Sequence, residues 1–209
     1  MILGVTGLIG SGKDTIADYL VTTHGFKRVS FAASLKDAVS SVFGWDREML
    51  EGKTDESRAW REQPDVFWSK KFNKDVTPRW VLQYWGTEVC RRGFHDDIWI
   101  ASVENKLRTS KDDIVISDCR FPNEILSIKN ASGIIVCVNR GELPSWHIMA
   151  AKANDGDILA AEKLKALGVH ASETAWVGTK FDYVLDNNST LDSLFKQVET
   201  VVQPETVKI

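Results

Sequence analysis

Three glycines, two hydroxyls, a lysine and an aspartate fall within nine residues near the start of the chain: Gly7-Leu8-Ile9-Gly10-Ser11-Gly12-Lys13-Asp14-Thr15. Glycines at this spacing let successive backbone N–H groups converge on one anion, and a helix N-terminus behind them adds its positive dipole end. Lys13 then stands where a lysine reaches the β- and γ-phosphates of a nucleoside triphosphate. The context supports this reading. Ile2-Leu3-Gly4-Val5-Thr6 before the loop is a short apolar strand, and Ile16, Ala17, Leu20 and Val21 after it mark one face of a helix. The residue following such a lysine is usually Ser or Thr, whose hydroxyl holds magnesium. Here Asp14 takes that place and Thr15 comes one residue late. Either the Asp14 carboxylate serves as a hard oxygen ligand, or Asp14 is a favourable acid in a first helical turn and Thr15 bears the metal.

Other candidates lie further on. Arg79 and Gln83 are four residues apart, which on a helix places them on one face, and Gly86, Thr87 and Glu88 follow. Asp118-Cys119-Arg120 ends the apolar run Asp113-Ile114-Val115-Ile116-Ser117. Arginine grips phosphate with two parallel N–H donors, so Arg79 and Arg120 could together neutralise a monophosphate. Asp118 is placed to position magnesium or to accept a proton, or else to cap its own turn. Trp99 is the aromatic best suited to face a nucleobase. Arg140 follows another apolar strand, and His170-Ala171-Ser172-Glu173 could close over the same cleft.

The elements that must position these groups are legible as a pattern. Strands are expected at residues 2–6, 26–31, 113–118, 133–138 and 181–185, separated by helices. One helix, led by Ser34, carries Leu35, Ala38, Val39, Val42 and Phe43, and another begins at Thr77-Pro78 and continues through Val81, Leu82, Trp85 and Val89. A third spans residues 98–107. A closing helix shows Leu191, Leu194, Phe195 and Val198, and the tail from Gln203 is expected to fray. Residues 44–73 are charged and aromatic with weak periodicity, and are expected as short helices and loops outside the sheet. Alternation of strand and helix gives an α/β fold with a mainly parallel five-stranded sheet covered on both faces, and ligands in such sheets bind beyond the carboxyl ends of the strands. The phosphate loop, Asp118 to Arg120, and Arg140 all fall at those ends.

Bulk properties narrow the classes. At 209 residues the chain can bury a substantial core, and a net charge of −3 argues against a protein that coats nucleic acid. Cys90, Cys119 and Cys137 lack metal spacing and suit a reducing compartment. No signal-peptide pattern or membrane-length apolar run is apparent, so a cytoplasmic protein without membrane partners is expected.

Taken together, these residues resemble the phage-type deoxynucleoside monophosphate kinases, a branch of the P-loop nucleoside monophosphate kinases. The resemblance rests on Gly7…Ser11-Gly12-Lys13-Asp14-Thr15 with Ala17-Asp18, on Leu82-Gln83…Gly86-Thr87-Glu88, and on Trp99. It continues through Asp118-Cys119-Arg120-Phe121-Pro122-Asn123-Glu124, His170-x-Ser172-Glu173, and Asp186-Asn187…Leu191…Leu194-Phe195. It implies a three-layer P-loop fold and transfer of the ATP γ-phosphate to a deoxynucleoside 5′-monophosphate with Mg²⁺. The implied core comprises residues 1–44, 111–140 and 170–203, with a monophosphate-binding insertion at about 45–110 and a lid at about 141–169. The base would lie near Gly86 and Trp99 and the acceptor phosphate near Arg79 and Arg120, with Gln83, Thr87 and Glu173 as further substrate-binding residues. Gly7, Gly10, Ser11, Gly12, Lys13, Asp14, Thr15 and Arg140 would hold the donor. Lys13, Arg120 and Asp118 would serve the transfer, and Asp14 or Thr15 the metal. A monomer or homodimer in the cytoplasm (the host's, for a phage protein) would follow.

Two departures from the family pattern stand out. Ile9 occupies a loop position where the family can carry a basic residue. The 141–169 segment is poor in arginine, so Arg140 or Lys152 would have to supply its positive charge. Other small-molecule P-loop kinases, such as those acting on coenzyme precursors, share the loop. So do nucleotide-dependent switches, although these would hydrolyse triphosphate regardless of any small acceptor. Replacement of Lys13 by Ala is expected to abolish transfer with the fold intact. Retained turnover by the purified variant would refute the role of Lys13.

Overall fold

In the computed structural model, residues 1–203 are described, and the segment beyond Gln203 lies outside them. The chain runs β1 (Ile2–Thr6), α1 (Lys13–His24), β2 (Lys27–Val29), α2 (Ala33–Phe43), α3 (Arg47–Glu51), α4 (Asp55–Arg61), α5 (Val66–Phe72) and α6 (Pro78–Tyr84). A π-helix (Trp85–Arg92) follows, then α7 (Ile98–Thr109), β3 (Ile114–Ile116), α8 (Pro122–Asn130), β4 (Ile134–Asn139), α9 (His147–Asn154), α10 (Ile158–Ala166), α11 (Ala171–Thr174), β5 (Tyr183–Asp186) and α12 (Leu191–Val202). It divides into two compact units. One comprises residues 1–30 with the described residues from 104 onward, and the other comprises residues 31–103. The insertion expected over 45–110 falls largely within the second.

The first unit is built on a five-stranded sheet in the order β2-β3-β1-β4-β5, with every neighbouring pair parallel. β1 is central and buried on both faces. Leu3 and Val5 join Ile16, Ala17 and Leu20 of α1 and Leu194, Val198 and Val201 of α12 in one core. On the opposite face α8 packs so closely that a Cβ on Gly4 would lie 2.8 Å from Ile128 Cδ1, which is why a glycine sits in mid-strand. The chain leaves β1 toward β2 on one side and leaves β3 toward β4 on the other. The carboxyl ends of neighbouring β1 and β3 therefore form the switch point at which such sheets bind ligands.

Helix faces follow the expected pattern only in part: Val21 of α1 and Ala38 and Val42 of α2, expected inward, are exposed, and α2 starts at Ala33, so Ser34 lies within its first turn. In α10 Ala160 and Leu164 are buried, whereas Leu167 is exposed because the helix stops at Ala166 and Leu167 is its C-terminal cap. Leu191, the first residue of α12, is also exposed. Among the described residues no helix is long and apolar enough to cross a membrane.

The second unit consists of short helices. Helices of five to seven residues do not stand alone in water, so capping and packing must hold them. Asp46, Thr54, Asp65 and Thr77 each cap a helix through a side-chain oxygen. The core contains Val39, Trp45, Leu50, Val76 and Val81, with Phe43, Trp60, Trp68, Trp80 and Trp85 packed against it. Indole N–H groups find partners: Trp45 Nε1 donates to Asp65 Oδ2 at 2.9 Å and Trp68 Nε1 to the Phe43 carbonyl at 3.0 Å. The aromatics of this stretch also wall a cavity of about 520 Å³, lined by Phe43, Trp68, Phe72, Trp80, Tyr84 and Trp85.

Asp65 thus does two jobs, since its other oxygen accepts from the Trp68 backbone N–H at 2.9 Å. An Asp65→Ala variant should lose about 2–3 kcal/mol, combining a lost cap with a stranded indole donor. Denaturant titration followed by tryptophan fluorescence measures it. A loss under about 0.5 kcal/mol would mean that solvent replaces both bonds.

Candidate active site

The loop after β1 takes its shape from glycines that have no room for side chains. A Cβ on Gly7 would stand 2.5 Å from the Val138 carbonyl oxygen and 2.8 Å from Ser11 Oγ. Gly10 and Gly12 adopt left-handed φ values of 77° and 105°. The Ser11 N–H donates to the Leu8 carbonyl at 3.1 Å, closing the turn, and Asn187 Nδ2 donates to the Ser11 carbonyl at 2.8 Å from the end of β5. Thr6 Oγ1 donates to the Cys119 carbonyl at 2.9 Å, tying this loop to the one that follows β3.

Lys13 folds back across the loop, donating to the carbonyls of Gly7 at 2.9 Å and Leu8 at 2.7 Å. Burial lowers its pKa, and the nearby Arg120 guanidinium lowers it further against the opposing pull of Glu173 and Asp14. The Ser11 hydroxyl is buried and has no hydrogen-bond partner among the described residues. Beside Lys13, burial pushes the Cys137 thiol up to about 11, so it remains protonated.

Arg120 is positioned by its own backbone. Glu124, buried in the first turn of α8, accepts from the N–H groups of Arg120 at 2.8 Å and Phe121 at 3.1 Å. The guanidinium is left free of Glu124 and donates instead to Ser172 Oγ and Glu173 Oε1, both at 3.3 Å. Asp118 accepts from Ser30 Oγ at 2.7 Å. Arg140 Nη1 reaches the Gly10 carbonyl at 3.4 Å. The structure therefore brings Lys13, Asp14, Arg120, Arg140 and Glu173 around one loop within the first unit.

Sequence reasoning missed Arg28. It rises from β2 and pairs with Asp14, with Asp18 Oδ1 at 2.8 Å and with Ser117 Oγ at 2.7 Å, while Ser117 Oγ also donates to Asp14 at 3.1 Å. The available signal was a lone arginine at the carboxyl end of an edge strand, four residues short of the next helix. Asn187 was visible only within the resemblance.

The remaining candidates belong to the second unit. Thr77 caps α6 by accepting from the Trp80 N–H at 3.1 Å, with Pro78 in the first turn. Arg79 is ion-paired with Glu62, whereas Gln83 and Thr87 are exposed. The expected continuous helix is interrupted: from Trp85 to Arg92 the winding is π, so the 3.6-residue spacing no longer applies and Val89 turns outward. Such wide turns are rare and recur at functional sites. Gly86 is buried against Leu35, and its carbonyl accepts from Trp99 Nε1 at 3.0 Å, which fixes the indole beside the π-helix.

A parallel 2-3-1-4-5 sheet with a glycine loop and a half-buried lysine after its central strand defines a P-loop kinase fold. Compared with curated proteins, the chain is 30% identical to a putative deoxynucleotide monophosphate kinase of Acanthamoeba polyphaga mimivirus, covering 97% of this chain and 96% of that one. It is 28% identical to the deoxynucleoside-5′-monophosphate kinase of Escherichia phage T5, over 59% of this chain and 70% of that one. The chain belongs to the deoxynucleoside monophosphate kinase family. No protein-family model matches it. Among solved structures, a shikimate kinase from Aquifex aeolicus aligns over 100% of both chains at 10% identity with a TM-score of 0.45, a likeness on which nothing here rests.

The loop geometry sets a direct test. A Gly7→Ala variant should retain its circular dichroism spectrum but lose at least about tenfold in triphosphate affinity, because the methyl must displace the Val138 carbonyl or the Ser11 side chain. Unchanged affinity by calorimetry would show that the loop can relax without cost.

Proposed function

We infer that the protein transfers the γ-phosphate of ATP to the 5′-phosphate of a deoxynucleoside monophosphate. Family membership supports the reaction. The observation that carries the site is the glycine loop after β1, with Lys13 folded across it, the Arg120 guanidinium nearby and the buried Ser11 hydroxyl without a partner among the described residues. Phosphoryl transfer asks little covalent chemistry of a protein; it asks for alignment of the groups and neutralisation of the charge on the moving phosphoryl.

Each residue has a task in that scheme. The N–H groups of Gly10, Gly12 and Lys13 and the unpartnered Ser11 hydroxyl cradle the donor phosphates, and Gly7 gives the loop its close approach to β4. Lys13 exchanges two carbonyl partners for phosphate oxygens. Arg120 follows the phosphoryl group between donor and acceptor, with Glu173 orienting its guanidinium and Asp118 on the same loop. Arg140 covers the donor side. In the second unit, Arg79 takes the acceptor phosphate, while Gln83, Gly86, Thr87 and Trp99 frame the base and sugar.

Magnesium fits the donor set. No cluster of three His, Cys, Asp or Glu side chains stands ready to hold a metal among the described residues. Mg²⁺ commonly relies on one or two protein oxygens plus substrate phosphates, and here Asp14 or Thr15 would provide them. When bound it neutralises charge on the β- and γ-phosphates. Asp14 must first loosen its pairing with Arg28, whereas Thr15 has no such competitor.

A panel of deoxynucleoside and ribonucleoside monophosphates tests the function, with ADP release as readout. ADP should appear only when a deoxynucleoside monophosphate is present. Release that is indifferent to every small acceptor would overturn the assignment in favour of a hydrolase or switch.

A further inference from the structure

The second unit holds an arginine that nothing above has used. Arg61 ends α4, which packs against α6, and the next residue, Glu62, is ion-paired with Arg79 at the start of α6. The guanidiniums of Arg61 and Arg79 are therefore neighbours. Around them the other cations have carboxylate partners. Lys36 meets Glu51 at 2.6 Å, Arg47 meets Asp37 at 2.6 Å and also Glu51, and Arg58 meets Asp55 at 2.6 Å. Among the described residues Arg61 has no carboxylate within ion-pairing distance. Its Nε is buried without a hydrogen-bond acceptor, whereas Arg79 Nε is held by its ion pair with Glu62.

Space has been cleared for this unpaired cation. Gly52 follows α3 with φ 67°, and a Cβ there would lie 2.1 Å from Arg61 Cζ, so the guanidinium rests on a backbone that only glycine leaves open. Burial and the positive charges of Arg79 and Arg58 all weigh against a cation at this place, and nearby Glu51 is already engaged by Lys36 and Arg47. An arginine cannot escape by losing its proton. A group carrying two negative charges and several acceptor oxygens removes both penalties at once, and a phosphate monoester above its second pKa is such a group.

We propose that Arg61 and Arg79 together form a two-guanidinium receptor for the dianionic 5′-phosphate of the acceptor, in which Glu62 occupies Arg79 at rest and yields to the incoming phosphate. This rests on the kinase reading above for the identity of the phosphate's bearer. The receptor itself rests on the unpaired cation, its unsatisfied buried Nε and the opening at Gly52.

Three variants and two readouts test it: steady-state kinetics with a deoxynucleoside monophosphate and ATP, and calorimetry with inorganic phosphate. Arg61→Gln should raise KM for the monophosphate by about ten- to a hundredfold, the range for losing charge-assisted hydrogen bonds, with KM for ATP unchanged. Arg61→Lys, a point charge without the planar fork, should recover only part of this. Gly52→Ala keeps every charge but pushes the guanidinium away, and should reproduce the acceptor defect, which covers the case of a poorly folded Arg61→Gln. Phosphate binding should weaken in parallel in each. If the wild-type protein proves to phosphorylate no nucleotide, loss of phosphate binding in Arg61→Gln still upholds the receptor. Acceptor KM and phosphate affinity both within twofold of wild type in folded Arg61→Gln and Gly52→Ala would overturn it.

Discussion

The contact between Gly7 and the Val138 carbonyl is the constraint on which the donor site depends. Two neighbouring parallel strands, β1 and β4, leave the sheet side by side, and the chain after β1 must turn under the end of β4 before it can begin α1. With no volume available for a side chain, the loop stays flat against the sheet and its amides point outward. Gly10 and Gly12 in left-handed conformations then reverse the chain so that successive N–H groups share a centre. Asn187 holds the outer limb from β5, and Thr6 ties the inner limb to the loop after β3. Anion binding here is thus a consequence of sheet geometry, with side chains added to it.

A common device runs through the cationic groups of both units. Lys13 rests on two carbonyls, Arg120 on Ser172 and Glu173, Arg28 on Asp14 and Asp18, and Arg79 on Glu62. Each resting partner is an oxygen that phosphate oxygens can replace without leaving the cation bare. Long side chains are thereby kept near their working positions, and part of the entropic cost of ordering them is met before substrate arrives. The bonds of Arg120 at 3.3 Å are long and so the most easily exchanged of these.

How far the sequence revealed this depends on what each feature rests on. The phosphate loop, the strand order of apolar runs and the cap at Thr77 depend on local chemistry, so residue type and spacing sufficed. Arg120 was recognisable from its place after a buried strand, but the reason its guanidinium turns to Ser172 and Glu173, the capture of its backbone by Glu124, needed coordinates. Arg28 and Arg61 escaped notice because their meaning lies in partners distant in sequence: Ser117 for the first and an absent carboxylate for the second. The π-helix escaped for another reason. Val81, Leu82, Trp85 and Val89 keep a helical period on paper, and no proline or glycine pair announces that the winding widens.

The aromatic character of the second unit follows from the same demand for fixed cations. Its helices are too short to persist by hydrogen bonding alone, and a site built on fraying helices would scatter its guanidiniums. Tryptophans solve this with large buried surface and an N–H that pins orientation, as with Trp45 on Asp65, Trp68 on the Phe43 carbonyl and Trp99 on the Gly86 carbonyl. Asp65 and Thr77 close the ends of the helices that carry these rings. Arg79 lies in the first turn of α6, where the next residue, Trp80, is stacked on Tyr84 with ring centroids 5.1 Å apart, so a ring contact steadies the helix that carries the charge. A basic site that must wait for its anion needs scaffolding independent of that anion, and a core of aromatic rings provides it.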